Sequence, residues 1–302
     1  MNTILFFTIF LMSITITPFI WLIAITNGFV VSRGADSGSR EETKPLLGGL
    51  AIAASFFVGI LILGYPSTSR GETIFLFTGY YKELIGIIWG AILVMTSGLW
   101  DDFRESQAVM NFFVNLIASF VVWYSGIMLR VSPDIYVNFF LTILYILIII
   151  RAFKELDTVD GLCAGIALLS TLGFFFLAVN SMSIFLLIFS PIVFMSILGF
   201  LSYNLYPSRI ILGAGGSALL GFLVAVQAIV ASHSAAVPSC AMVFIPLLAV
   251  LISSLSGLSG GRIKKCLVCS LLRSRGLHPL QIWLLLCGLQ LLMLIAALSF
   301  FR

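Results

Sequence analysis

The chain has 302 residues, of which 61% are hydrophobic and only 9% charged, with a formal net charge of +4. Soluble domains carry roughly 25% charged residues, so this composition excludes a water-soluble fold and puts residues 1–302 in one integral membrane domain. A charge this small suits orientation in a bilayer and implies no nucleic-acid partner.

Apolar runs of about 20 residues, the length that crosses a bilayer as a helix, recur from one end to the other. They predict an all-α polytopic membrane protein of about ten transmembrane helices, near 4–31, 46–65, 82–100, 108–128, 136–150, 159–179, 183–201, 216–232, 238–256 and 281–300. The first run is too long for a signal peptide and lacks a basic start and a small-residue cleavage site, so it reads as a span. The loops after the odd-numbered spans hold Arg33, Arg40, Lys44, Arg104, Arg151, Lys154, Arg209, Arg262, Lys264, Lys265, Arg273 and Arg275, twelve of the sixteen basic residues. Arg70, Lys82, Arg130 and Arg302 remain for the other face, so the odd-numbered loops are expected to be cytoplasmic and both termini outside. The five cysteines are odd in number and mostly sit within apolar runs, which implies no disulfide framework. Cys266 and Cys269 form a C-x-x-C without the second ligand pair that a zinc site needs.

The same loops hold nine of the twelve acidic residues. Asp36, Glu41, Glu42 and Glu105 read as solvated interfacial groups. Asp101, Asp102, Asp157 and Asp160 stand at span ends, where close carboxylates repel unless a cation or basic partner sits among them, so a shared site is expected. Four motifs accompany them. Lys44 to Leu50 contains Pro45 and the pair Gly48 and Gly49, which suit close helix packing as well as a ligand. Gly98 to Asp102 closes span 3, and its paired aspartates suit Mg²⁺ or acid–base work. Asp157 to Leu162 opens span 6, where aspartates at i and i+3 share one face of a helix near its positive end. Tyr203 to Arg209 includes Asn204. It precedes the glycine-rich Gly213, Ala214, Gly215, Gly216 and Ser217, whose amides suit either a phosphate or a plain helix start.

The order and spacing of these motifs resemble the polyprenyl-phosphate sugar-1-phosphate transferases, glycosyl transferase family 4. That family includes the phospho-N-acetylmuramoyl-pentapeptide transferases and the undecaprenyl-phosphate N-acetylglucosamine-1-phosphate transferases. Pro45 to Gly49 matches the family's Pro-x-x-Gly-Gly, Gly98 to Asp102 its Gly-x-x-Asp-Asp, residues 151–162 its Asn-x-x-Asn-x-x-Asp-Gly-x-Asp-Gly-Leu, and Tyr203 to Ser217 its Tyr-Asn-x-x-Pro-Ala and Gly-Asp-x-Gly-Ser. The resemblance implies transfer of a sugar-1-phosphate from a UDP-activated amino sugar to a polyprenyl phosphate, releasing UMP with Mg²⁺ or Mn²⁺ as cofactor. It places the work at the cytoplasmic face of a bacterial inner membrane, in envelope polysaccharide or peptidoglycan-type synthesis, with a homodimer compatible. Asp101, Asp102, Asp157 and Asp160 are then catalytic, with Asp157 and Asp160 also metal ligands. Lys44, Gly48, Gly49, Asn204, Arg209, Gly213, Gly215, Gly216 and Ser217 are substrate-binding.

The chain departs from the family where the chemistry is expected. Arg151 and Lys154 replace two asparagines, Thr158 a glycine, and Ala214 a metal-ligating aspartate. The family's His-x-His-His element aligns with Leu267, Cys269 and Ser270, and His278 lies about eight residues on. Arg151 and Lys154 are therefore candidate charge substitutes, expected to pair with Asp157 and Asp160. The alternative function is a pseudoenzyme that binds polyprenyl phosphate or a partner protein. A transporter is disfavoured because the charges lie at span ends and not at the midplane.

Overall fold

The computed structural model of the chain describes residues 3–32, 43–64, 79–103, 108–258 and 267–300. Arg33, Arg40, Arg70, Arg104, Arg262, Lys264, Lys265, Cys266 and Arg302 lie outside the described residues, as do Asp36, Glu41, Glu42 and Glu105. Twelve helices occur among the described residues. They are α1 (Thr3–Thr26), α2 (Gly48–Gly64), α3 (Tyr81–Phe103), α4 (Ala108–Tyr124), α5 (Ile135–Leu156) and α6 (Leu162–Ser181), followed by α7 (Ile184–Asn204), α8 (Gly213–Ser232), α9 (Ala236–Met242), α10 (Phe244–Leu258), α11 (Leu267–Ser274) and α12 (Pro279–Phe300). Seven of these, α1, α3, α5, α6, α7, α8 and α12, are long and apolar enough to cross a membrane, and α2 and α4 are shorter apolar helices. This is an all-helical membrane architecture, apart from a small antiparallel pair, β1 (Val30–Ser32) with β2 (Thr43–Pro45), in which Val31 faces Lys44.

Nine of the ten expected spans coincide with single helices; the ninth does not. Residues 238–256 divide at Val243 into α9 and α10. Pro246 accounts for the break, because proline has no N–H to donate to the carbonyl four residues back and its ring crowds that position. The Met242 carbonyl, freed in this way, accepts from Ser170 Oγ and Gln290 Nε2, both at 2.6 Å. Apolar surroundings require that such a group find partners inside the protein.

Helix α8 is the axis of the bundle. It packs against α2, α3, α5, α6, α7 and α9, and of its residues only Ala214, Val230 and Ser232 are not buried. A helix apolar on all sides belongs in a core of this kind. The peripheral helices turn large apolar side chains outward instead: Phe7, Phe19 and Leu22 on α1, Phe112, Phe113 and Ile117 on α4, Leu284, Leu292 and Ile295 on α12. Outward apolar faces on helices this long match hydrocarbon. Close approach to α8 rests on glycine. A Cβ on Gly98 of α3 would lie 2.5 Å from the Gly215 Cα and 2.7 Å from the Ala214 carbonyl, and one on Gly49 of α2 would strike the Gly216 backbone.

Candidate functional site

The N-terminal ends of α2, α6 and α8 meet the C-terminal ends of α3, α5 and α7, so all four motifs gather at one end of the bundle. The segment after β2 lies along the strand-like residues before α8. Ile211 N donates to the Pro45 carbonyl at 2.9 Å, Gly48 N to the Ile211 carbonyl at 3.0 Å, and Gly49 N to the Leu212 carbonyl at 2.9 Å. This ladder joins the first motif to the fourth. Gly48 and Gly49 are thus committed to backbone pairing and helix contact, since a Cβ on Gly48 would meet the Ile211 carbonyl at 2.6 Å.

The ladder delivers Lys44 to Asp160. Its Nζ lies 2.8 Å from Asp160 Oδ2 and donates to Ser208 Oγ at 3.1 Å, while the Ser208 amide donates to the same Asp160 oxygen at 3.4 Å. Both charged side chains are largely shielded, with 17% and 12% of their surface exposed. Residues from the first, third and fourth motifs therefore meet at one point. Asn204 and the backbone shape the fourth motif: Asn204 Nδ2 donates to the Ile210 carbonyl at 2.9 Å, and Arg209 N to the Tyr203 carbonyl at 2.9 Å. This loop leaves the Arg209 side chain exposed.

Asp101 and Asp102 do not share a site in the way their adjacency suggests. They belong to the last turn of α3, which runs to Phe103, and successive helical residues point about 100° apart. Asp101 Oδ2 accepts from Lys154 Nζ at 3.2 Å. Asp102 turns to α8, where Oδ1 accepts from the Ala214 amide at 2.9 Å and Oδ2 from the Gly215 amide at 3.2 Å. A carboxylate on the first amides of a helix satisfies donors that have no partner within the helix, and it stabilises the helix dipole. Asp102 is the cap of the central helix, supplied from another helix.

Two expectations need correction. Asp157 and Asp160 do not lie on one helical face. Asp157 is the C-terminal cap of α5, and α6 begins only at Leu162, after Gly161 with φ +73°. Left-handed backbone is easy for glycine and interrupts a right-handed helix, so the two aspartates stand in the connecting turn. Arg151 and Lys154, expected to follow span 5, instead form the last turns of α5, built from good helix formers. They also find other partners than Asp157 and Asp160: Lys154 meets Asp101, and Arg151 Nε donates to Glu155 Oε1 at 3.0 Å, one turn on, with 62% of its side chain exposed. Of the two readings left open for Gly213 to Ser217, the segment takes the form of a helix start, as the beginning of α8. There Ser217 Oγ donates to the Gly213 carbonyl at 3.0 Å and is buried, and Gly215 and Gly216 receive α3 and α2.

Two participants, Ser208 and Trp283, were not singled out in the sequence. Ser208 bridges Lys44 and Asp160; it stands beside Arg209 in the fourth motif, and only its contacts mark it. Trp283 of α12 donates its Nε1 to the Gly161 carbonyl at 3.0 Å and so holds the turn that carries the aspartates. His278, the residue before α12, packs its ring edge-on against Tyr206 at 5.0 Å between centroids. Its amide donates to Gln281 Oε1 at 2.9 Å. A histidine thus borders the fourth-motif loop, although the aligned positions Leu267, Cys269 and Ser270 hold none. Three polar atoms close by are buried without a hydrogen-bond partner: Asp101 Oδ1, Glu155 Oε2 and Thr158 Oγ1.

The divalent cation implied by the resemblance does not fit the side chains at hand. Asp102 spends both oxygens on amides, Asp160 and Asp101 each face a lysine, and residue 214 is alanine. Among the described residues no group of three or more histidine, cysteine, aspartate or glutamate side chains is placed to hold a metal.

Residues 84–232 match the family profile described as Glycosyl transferase family 4. Similar curated proteins include a "Probable undecaprenyl-phosphate N-acetylglucosaminyl 1-phosphate transferase" of Bacillus subtilis (strain 168), 26% identical over 220 residues, covering 70% of this chain and 58% of the relative. A "Phospho-N-acetylmuramoyl-pentapeptide-transferase" of Clostridium novyi (strain NT) is 27% identical over 207 residues, 64% of this chain and 62% of the relative. Another protein of that description, from Moorella thermoacetica, is 27% identical over 225 residues, 72% of this chain and 70% of the relative. The chain thus spans about three fifths of the length of the first two.

Proposed function

We propose, from the match of residues 84–232 to the Glycosyl transferase family 4 profile, that the protein transfers a sugar-1-phosphate from a UDP-activated amino sugar to a membrane polyprenyl phosphate, releasing UMP. An oxygen of the lipid phosphate attacks the phosphorus that carries the sugar. The new P–O bond forms as the bond to the UMP oxygen breaks, and UMP takes the departing electron pair. Such a step needs alignment and neutralisation of negative charge more than covalent help from the protein. The observation that carries this reading is the meeting of Lys44, Asp160 and Ser208, which draws residues of the first, third and fourth motifs to one point.

In this reading Lys44, Lys154 and Arg209 meet the phosphates and Asp157 borders them. Asp101 Oδ1, buried and without a partner, accepts a sugar hydroxyl. Asp102 acts at one remove by fixing the start of α8. The active end faces the cytoplasm of a bacterial inner membrane, both termini lie outside, and the product feeds envelope polysaccharide or peptidoglycan-type precursors. A second reading has its own support: a site whose aspartates are tied by lysines suits a pseudoenzyme that binds the lipid phosphate or a partner protein without transfer.

The test is release of UMP and formation of lipid-linked sugar by the purified protein, given undecaprenyl phosphate with UDP-N-acetylglucosamine or UDP-N-acetylmuramoyl-pentapeptide. Transfer is expected from one donor and is expected to vanish in Asp101→Asn and Asp157→Asn at unchanged folded yield. Binding of undecaprenyl phosphate without transfer from either donor decides for the pseudoenzyme.

A further inference from the structure

Lys44 and Lys154 reach their carboxylates across 116 and 53 residues of sequence, at 2.8 and 3.2 Å, from different elements. Neither pair is a local helix pairing, and all four side chains are less than one fifth exposed. We propose that these two ammonium groups take the place of a divalent cation in this chain, so that the site engages phosphate through resident amines and requires no metal.

Within these two pairs the charges balance. Asp101 and Asp160 contribute two negative charges, and the two lysines contribute the two positive charges that one Mg²⁺ would bring. Of the other carboxylates at this end, Asp102 has both oxygens on the Ala214 and Gly215 amides, Asp157 stands in the turn after α5, and position 214 offers only a methyl group. A hard divalent ion is held by charged oxygens, and with Asp101 and Asp160 each on a lysine and Asp102 on two amides this end offers it fewer of them than the family pattern does. The amines have capacity to spare. An ammonium carries three donors. Lys44 spends two on Asp160 and Ser208, leaving one, and Lys154 spends one on Asp101, leaving two. Charge-assisted N–H to phosphate oxygen bonds are among the stronger polar contacts. The phosphate half of this proposal rests on the transfer reading above; the cation half stands without it.

The experiment uses the full chain in detergent with two probes, Mn²⁺ alone and inorganic pyrophosphate. Titration calorimetry and Mn²⁺ spin resonance are expected to find wild-type Mn²⁺ binding no tighter than about millimolar. Lys154→Asn combined with Ala214→Asp is expected to raise that affinity at least about tenfold. A wild type that binds Mn²⁺ at about micromolar levels, and loses it in Asp101→Asn, overturns the cation half. Pyrophosphate is expected to bind equally in excess EDTA and in Mg²⁺, to lose at least about tenfold in Lys44→Met and Lys154→Met, and to be kept within about threefold in the arginine variants. Pyrophosphate binding that appears only with Mg²⁺ overturns the proposal.

Should either methionine variant misfold around its unpaired aspartate, Lys154→Met with Asp101→Asn removes both charges together. Unchanged pyrophosphate affinity in that folded double variant also overturns the phosphate half. Pyrophosphate binding in EDTA without any UMP release sinks the transfer reading alone and leaves this inference standing.

Discussion

Replacing Asp102 isolates its two bonds to the start of α8, and the distances set the expected cost. Hydrogen bonds to a charged acceptor contribute about 1.5–3 kcal/mol, and an anion at a helix start adds about 0.3–1 kcal/mol. Asp102→Ala removes the acceptors at 2.9 and 3.2 Å from the Ala214 and Gly215 amides. Water replaces part of that loss at this half-buried position, so the expected destabilisation is about 2–4 kcal/mol. Asp102→Asn keeps one carbonyl oxygen for one amide but turns an NH₂ group toward the other, and it should cost about 1–2 kcal/mol. Unfolding by dodecyl sulfate from mixed micelles, followed by tryptophan fluorescence, measures both. The ranking wild type, Asn, Ala is the expected result. Both variants within about 0.5 kcal/mol of wild type would refute the capping argument and return Asp102 to a purely chemical role.

Three further outcomes follow from the same geometry. Gly98→Ala should cost about 1–3 kcal/mol in the same unfolding assay, because its methyl group would sit 2.5 Å from the Gly215 Cα, where only backbone can yield. Trp283→Phe removes the donor to the Gly161 carbonyl and should cost about 1 kcal/mol, with weaker pyrophosphate binding as the Asp157–Asp160 turn loosens. For orientation, a cysteine at Ser274 in a background without native cysteines should label only after permeabilisation, and one at Ser234 should label in intact cells; the reverse pattern would invert the assignment.

The helices were legible because hydropathy over about 20 residues is a strong signal and a bilayer fixes the length. The break in the ninth span was legible in principle through Pro246, but the apolar run around it concealed the proline. The site was legible only as a neighbourhood. That Asp101, Asp102, Asp157 and Asp160 gather at one end follows from the alternation of spans, whereas their partners depend on tertiary packing. Nothing local links Lys44 to Asp160. Adjacency of Asp101 and Asp102 even misleads, since continuing α3 to Phe103 sends them in different directions. Arg151 and Lys154 read as loop residues because charge ends a hydropathy run, although helices carry such residues readily at a bilayer surface. The glycines were ambiguous for a related reason: close helix approach and phosphate cradles ask for the same residue, and only the contact of Gly98 with Gly215 separates the two demands.

On the proposed function, the end of the bundle where Lys44 meets Asp160 is where an activated sugar is held. Determining the structure of the protein with a UDP-sugar bound, in the presence of EDTA, tests it most directly. The expected result is the nucleotide's phosphates within hydrogen-bonding distance of the Lys44 ammonium or the Arg209 guanidinium, beside the Asp157–Gly161 turn. Phosphates bound elsewhere, or a Lys44–Asp160 pair that stays closed over an empty site at saturating nucleotide, would contradict it.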